Sequence, residues 1–409
     1  MREFGERVTG TALLLLVMTG TGCSPGTPPE AGRPERTPPP RPARPAARRA
    51  PPILITPADG SRDVPPDGRV AVLARRGTLG RVAVRAGSEP VAGRLSRDRR
   101  SWRSRWTLPP GTAVTVVAAG KDERGARTSA ASTFATLRPS GTFRVSDVTP
   151  RHGEVVGVGM PVIVTFDRPV ARRAAVERSL ELRASRRVVG AWRWTSPRQV
   201  VFRPRRLWPA RQRVTLLAHT AGVRSAPGVY GASGDVTAFR VGPARVSTVD
   251  TRRHRMTVRV DGRPVRTVGI SAGKGGRRAY TTTSGVHLTM GKGDPVVMSS
   301  AWMGVTDRAD PRYYELKVRH AVRISSSGEY VHSAPWSAES QGRANVSHGC
   351  VNAPPDFARW FYGGSLRGDV VTVTGTDRAL EWDNGWGYWQ LPWSRWKAGG
   401  ALGPLVVSR

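Results

Sequence analysis

The chain has 409 residues and a formal net charge of +35, from 65 lysines and arginines against 30 aspartates and glutamates. That length supports two to four domains with real hydrophobic cores, at roughly 100–200 residues each. A composition rich in Val, Thr, Gly and Pro, without a long heptad pattern, excludes a coiled-coil rod and reads as globular and β-leaning. The charge calls for a polyanionic partner, such as nucleic acid, an anionic membrane or an acidic wall polymer, and says nothing about fold.

The first element, "TALLLLVMTGTGC", is an apolar run of signal-peptide length, too short to span a bilayer comfortably. Small residues precede Cys23, so residues 1–23 resemble a bacterial lipoprotein signal, whose cysteine is lipidated and becomes the mature N-terminus. An ordinary secretory signal with an incidental cysteine is the alternative. Either reading exports the protein and removes nucleic acid from the list of partners. A lipid anchor at Cys23 would add the membrane and place the chain on its extracytoplasmic face. With Cys23 consumed, Cys350 has no disulfide partner, since the chain holds only two cysteines. Residues 24–52 are dominated by Pro, Arg and Ala and lack apolar periodicity, as in "PPPRPARPAARRAPP". They cannot build a core and read as a semi-rigid polyproline spacer.

An internal repeat follows. "ILITPADG" (53–60) returns as "SDVTPRHG" (146–153), and "VTVVA" (114–118) returns as "VTLLA" (214–218). Each copy carries a Trp-Arg pair, at Trp102 and Trp192. Short Val/Thr/Leu runs punctuated by Gly, Pro and Asp, with a period near 100 residues, predict two immunoglobulin-like β-sandwiches over 53–140 and 141–243. Neither holds a cysteine pair or a catalytic cluster, and His152 and His219 read as isolated.

From about residue 244 the pattern changes. "MTVRVDGRPVRTVGIS" predicts two strands around an Asp-Gly turn. "GVHLTM", "VVMSSAWMGV", "HAVRISSSGEYVHS" and "GDVVTVTG" continue the strand pattern. Between the last two, "PPDFARWFY" reads as a short helix, with proline in its first turn and an apolar face of Phe357, Trp360 and Phe361. A separate β-rich domain over 244–376 is expected. The tail, 377–409, carries Trp382, Trp386, Trp389, Trp393 and Trp396. It reads as a segment that docks by burying its rings.

The chemistry concentrates in "VSHGCVN", residues 346–352. If this segment is extended, His348 and Cys350 share a face, and Gly349 between them lets a substrate backbone approach. Amides near Cys350 could meet a developing oxyanion. A thiol nucleophile needs a base, because only the thiolate attacks. His348 and His332 are the candidates, and His332 could return to Cys350 on a hairpin or an adjacent strand. A buried structural cysteine, a zinc site using Cys350, His348 and His332, and a redox-sensing thiol remain as alternatives.

"YVHSAPWSAESQGRANVSHGCVN" resembles the active-site signature of the bacterial L,D-transpeptidases: a histidine, about fifteen residues, then Ser/Thr-His-Gly-Cys-Xaa-Asn. The order of two immunoglobulin-like domains, this segment and a Trp-rich tail is similar to the actinobacterial lipoprotein members of that family. The resemblance implies a mainly β fold whose β-rich catalytic domain carries a substrate-covering flap. It makes Cys350 the nucleophile and His332 the general base, oriented by the Ser333 carbonyl. It lines the site with His348, Ser347, Asn352 and Trp336. Gly349 and Cys350 amides, helped by Tyr314, would form the oxyanion hole, and Met298 and Tyr314 match flap positions.

The implied reaction is formation of 3→3 peptidoglycan cross-links between tetrapeptide stems, through a cysteine thioester and with release of D-alanine. No metal or organic cofactor is implied, and carbapenems should acylate Cys350. An L,D-carboxypeptidase, in which water resolves the same thioester, and a non-catalytic wall-binding lipoprotein held by its charge are the rival functions. Anionic wall polymers are an expected further partner.

Overall fold

The computed structural model describes residues 52–408. The expected export signal, Cys23 and residues 24–51 of the spacer lie outside the described residues. No helix among the described residues is long and apolar enough to cross a membrane.

The first β-sandwich stacks two four-stranded sheets. One runs Ile53–Thr56, Ala71–Ala74, Ser101–Ser104, Gly93–Leu95 in spatial order, and the other Glu89–Pro90, Thr78–Ala86, Ala113–Lys121, Arg127–Ala135. Strict alternation builds it: Val114, Val116 and Ala118 are buried while Thr115 and Val117 face solvent.

The second sandwich repeats the plan with a heavier core of Phe143, Phe166, Trp192, Phe202 and Trp208. Its two main sheets include Val162–Phe166 beside Gln199–Pro204 and Arg213–Ala218 beside Asp235–Val241. The histidine that reads as isolated in the sequence, His219, is not. Its ring stacks on Trp106 of the first sandwich with centroids 3.8 Å apart, and its Nε2 lies 2.9 Å from Glu181. The repeat hides this contact because the two partners sit in different copies.

The third unit pairs two sheets around a core of Val258, Ile270, Val331, Val351, Phe357 and Phe361. The five-stranded sheet runs Arg263–Gly269, Arg255–Val260, Arg245–Asp250, Val370–Thr374, Gly285–Leu288. Its hairpin turns at Asp261 and Gly262, whose φ angles of 51° and 83° are the double left-handed pair that an Asp-Gly turn supplies. The four-stranded sheet runs Gly291–Gly293, Ala321–Arg323, Tyr330–Ser333, Val351–Ala353. The helix Pro355–Gly364 buries Phe357 and Phe361 against it. A two-stranded ribbon, Val296–Ser299 with Glu315–Val318, stands apart from both sheets.

The second sandwich and the third unit share one core, which takes in Leu288 and Val370. Their backbones meet at Gly157, whose N–H donates to Arg367 O at 2.7 Å. A Cβ at Gly157 would sit 2.1 Å from the Asp369 nitrogen, so only glycine permits the approach.

The tryptophan tail packs on the second sandwich. Trp396 is fully buried among Ile163, Ala191 and Val201, and its indole donates to Ala191 O at 3.0 Å. Arg203 lies under the rings of Trp389 and Trp396, at 4.7 and 4.9 Å, and donates to Tyr388 O at 3.0 Å. Burial lowers Arg203 to about 10, which leaves it charged at neutral pH. The Glu177 carboxylate accepts from the amides of Ala401 and Leu402 at 2.7 and 2.8 Å. The chain then adds Leu405–Val407 as an edge strand beside Val188–Ser196. Trp396→Ala should destabilise the protein by about 3–5 kcal/mol, the usual range for a buried ring replaced by a cavity. A lowered denaturation midpoint, with proteolysis newly admitted after residue 376, checks it; an unchanged midpoint would contradict this packing.

Candidate active site

The strand Tyr330–Ser333 pairs in parallel with Val351–Ala353, with His332 opposite Asn352 and Val331 opposite Val351. Cys350 immediately precedes its strand, so this register sets the thiol beside the histidine strand. An adjacent parallel strand, not a hairpin, brings the two segments together.

The segment before Val351 is curled rather than extended, which corrects the extended reading. Ser347 Oγ accepts the Gly349 N–H at 3.1 Å and donates to Cys350 O at 2.6 Å, a hydroxyl-closed turn. Gly349 has a φ of 121°, a region that L side chains rarely adopt. The turn is fastened from outside as well. Thr282 Oγ1 donates to Gly349 O at 2.8 Å and accepts the Gly273 N–H at 2.8 Å. Thr282 has no signal in the sequence, because "YTTTSG" reads as an ordinary polar run and its contact spans 67 residues.

Cys350, His332, His348, Met298, Tyr314 and Trp336 line one cavity of about 770 Å³, with Ser347, Gly349 and Asn352 also on its wall. Met298, on the isolated ribbon, places its Sδ 3.9 Å from Cys350 Sγ, so the ribbon covers the thiol. The thiol also faces Gly328 O at 3.6 Å. Tyr314 lies just before the ribbon's second strand, and its ring stacks on His348 with centroids 4.8 Å apart. Tyr280 closes on His348 edge-on at 4.9 Å. His348 is therefore gripped between two aromatic rings, and burial together with the nearby Lys274 keeps its pKa low. Asn352 donates its side-chain amide to Ser337 Oγ at 3.1 Å and holds the segment that carries Trp336. Trp336 is 53% exposed and lies 6.0 Å from the His332 ring.

His332 is buried, with its Nδ1 2.9 Å from the Ser333 carbonyl oxygen. That oxygen can only accept, so Nδ1 carries the proton and Nε2 keeps a lone pair. Burial lowers the imidazole to about 4, against a smaller upward pull from the Ser333 carbonyl. Burial pushes the Cys350 thiol up to about 12, and the Glu329 carboxylate adds to the rise. The resting pair at neutral pH is thus neutral thiol and neutral imidazole. The Gly349 amide, expected in an oxyanion hole, is already committed to Ser347. A developing oxyanion would have to displace that hydroxyl or rely on the Cys350 amide. Among the described residues no three His, Cys, Asp or Glu side chains converge to hold a metal ion, so the zinc reading finds no ligand set.

The thiol's resting state sets a measurable rate. Iodoacetamide alkylation of Cys350 should be slow at pH 7 and rise about tenfold per pH unit to beyond pH 10, since only the thiolate reacts. A plateau by pH 8, read by intact-protein mass, would mean the thiol ionises far more readily than its burial requires.

A bacterial Ig domain family matches residues 61–224, and an L,D-transpeptidase catalytic domain family matches residues 244–373. The chain is 36% identical over 353 residues to L,D-transpeptidase 2 of Mycobacterium tuberculosis, covering 86% of this chain and 85% of that protein. It is 32% identical over 381 residues to L,D-transpeptidase 5 of the same species, covering 90% of this chain and 79% of that one. A solved structure of an LD transpeptidase, LdtMt1, in complex with imipenem is 37% identical over 56% of this chain and 98% of its own, with a TM-score of 0.48.

Proposed function

Because the chain belongs to the L,D-transpeptidase family, we propose that it forms 3→3 peptidoglycan cross-links through a thioester on Cys350. One observation carries the assignment of roles. The parallel register sets the His332 strand beside Cys350, and the Ser333 carbonyl accepts the Nδ1–H hydrogen bond and leaves Nε2 basic. Carbonyl orientation replaces the carboxylate of a Ser-His-Asp triad.

Cys350 Sγ attacks the carbonyl of the third stem residue while its proton passes to His332 Nε2. The carbon–nitrogen bond to the terminal D-alanine breaks, and His332 returns the proton to the leaving amine. The thioester then acylates the side-chain amine of a diamino acid on a second stem. That amine loses its proton to His332, and the proton goes back to the sulfur. The ribbon bearing Met298 shields the thioester from water and favours the amine as acceptor. His348, Ser347, Asn352, Tyr314 and Trp336 shape the stem-binding walls. The sequence supports export, a lipid anchor at Cys23 and a spacer reaching into the wall, and these belong to the same proposal.

The test is incubation of the purified protein with disaccharide-tetrapeptide, with products read by mass spectrometry. A cross-linked dimer with free D-alanine is expected. A shortened monomer alone would replace transpeptidation by L,D-carboxypeptidation, and unchanged substrate would leave a non-catalytic wall-binding protein.

A further inference from the structure

The edge hairpin of the first sandwich carries an unbalanced charge pattern. Strand Gly93–Leu95 pairs with Ser101–Ser104 so that Arg94 stands directly opposite Arg103. Like charges facing each other across an antiparallel pair destabilise it. Arg103's other neighbour in the sheet is Ala71, too small to screen it. Arg105 follows just past the end of that strand and also lines the groove. With Arg69 and Arg97 these side chains line an open groove of about 790 Å³ that no acidic side chain lines.

Two carboxylates near these arginines have partners of their own. Glu181 pairs with Arg105 at 3.0 Å, and Asp98 accepts from Ser96 Oγ at 2.5 Å and Arg100 N at 3.1 Å within its own turn. Arg69, Arg94, Arg97 and Arg103 have no ion-pair partner among the described residues. All four are exposed.

We propose that this groove binds a linear wall polymer bearing one oxyanion, phosphate or carboxylate, per repeat. Planar guanidinium groups take both oxyanions in two-point contact. The charges are spread over two facing strands, the turn between them and the loops beside them, in an open channel rather than converging on one point, which suits a chain and not a single ion. Placement at the wall rests on the proposed export, whereas the groove's chemistry does not. The site lies on the first sandwich and would hold the enzyme on the wall while the third unit works on stems.

The test compares two triple variants of equal charge change in the purified protein. One is Arg94→Gln, Arg97→Gln and Arg103→Gln in the groove. The other is Arg81→Gln, Arg124→Gln and Arg127→Gln, exposed arginines on the opposite sheet and its turn. Binding to poly(glycerol phosphate), polyglucuronate and a DNA duplex of matched charge is measured across a salt series. The groove triple should lose at least tenfold in affinity for one of the two wall-type polymers at low salt. Its log–log salt slope should be shallower by about two, at about 0.7 per neutralised charge on a single strand. The opposite-sheet triple should bind as wild type does, and both should turn over soluble stems unchanged. Whichever wall-type polymer shows the loss identifies the oxyanion.

Equal losses in both triples, or none in either, overturn the site. A groove that prefers the duplex over both wall-type polymers overturns the partner. Thermal unfolding supplies a second readout. Arg94→Gln alone should raise the midpoint by relieving the opposed pair, and polymer should raise the wild-type midpoint but not that of the groove triple. A lowered midpoint for Arg94→Gln would remove the charge argument.

Discussion

Cys350→Ala is expected to abolish D-alanine release while leaving the fold intact. The thiol is the proposed attacking atom, and no other cysteine lies among the described residues. Cys350→Ser should be nearly as inactive. Its hydroxyl would face a neutral, buried imidazole with no carboxylate behind it, and an alkoxide is harder to form than a thiolate. Wild-type protein incubated with a carbapenem should gain one drug mass at Cys350, and the alanine variant should gain none. Turnover above a few per cent in Cys350→Ala would remove the nucleophile assignment. An unmodified wild type after prolonged excess drug would mean that the ribbon bearing Met298 does not open to such ligands.

His332→Ala is expected to slow acylation by about a hundred- to ten-thousand-fold, the range for a lost general base. The pH profile separates this role from mere packing. In the proposed mechanism the neutral imidazole is the working form. With its pKa held near 4 by burial, it stays competent as pH falls through the range where an ordinary histidine protonates. The acid limb of kcat/KM should therefore lie near pH 4, about two and a half units below that of an unperturbed imidazole. Above neutrality the profile should stay level until the thiol, held near 12, begins to ionise. His332→Gln should lose the acid limb together with the rate. A wild-type limb at about 6.5 would show that the base is a more exposed group than His332.

Much of the site was readable because its signals are short-range. Ser-His-Gly-Cys sits within a few residues, and the hydroxyl turn that curls it is local, although an alternating pattern mistook it for a strand. The neighbouring elements were readable for the same reason. Asp261 and Gly262 dictate a hairpin through their own φ preferences. Pro355 at the helix start and the Phe357–Phe361 spacing dictate one turn type and one buried face. The alternation in "VTVVA" and "VTLLA" gives strands with one buried face, whichever partner they find.

The pairings were not readable, because no window of sequence holds both halves of a contact. His332 becomes a neighbour of Cys350 through a parallel register chosen by burial of Val331 and Val351 in one core. Met298 reaches the thiol across 52 positions because its ribbon folds over the cavity. The tail's tryptophans announce burial, but not that they seal Arg203 and lead to a strand in the second sandwich. Sequence alone thus determined element types, the repeat and the reactive motif, since these follow from backbone preferences and periodicity within a few residues. Tertiary structure decided which elements touch, and with it the histidine's tautomer, the thiol's burial and the groove of facing arginines. Those depend on the desolvation and complementary packing of residues that the chain keeps far apart.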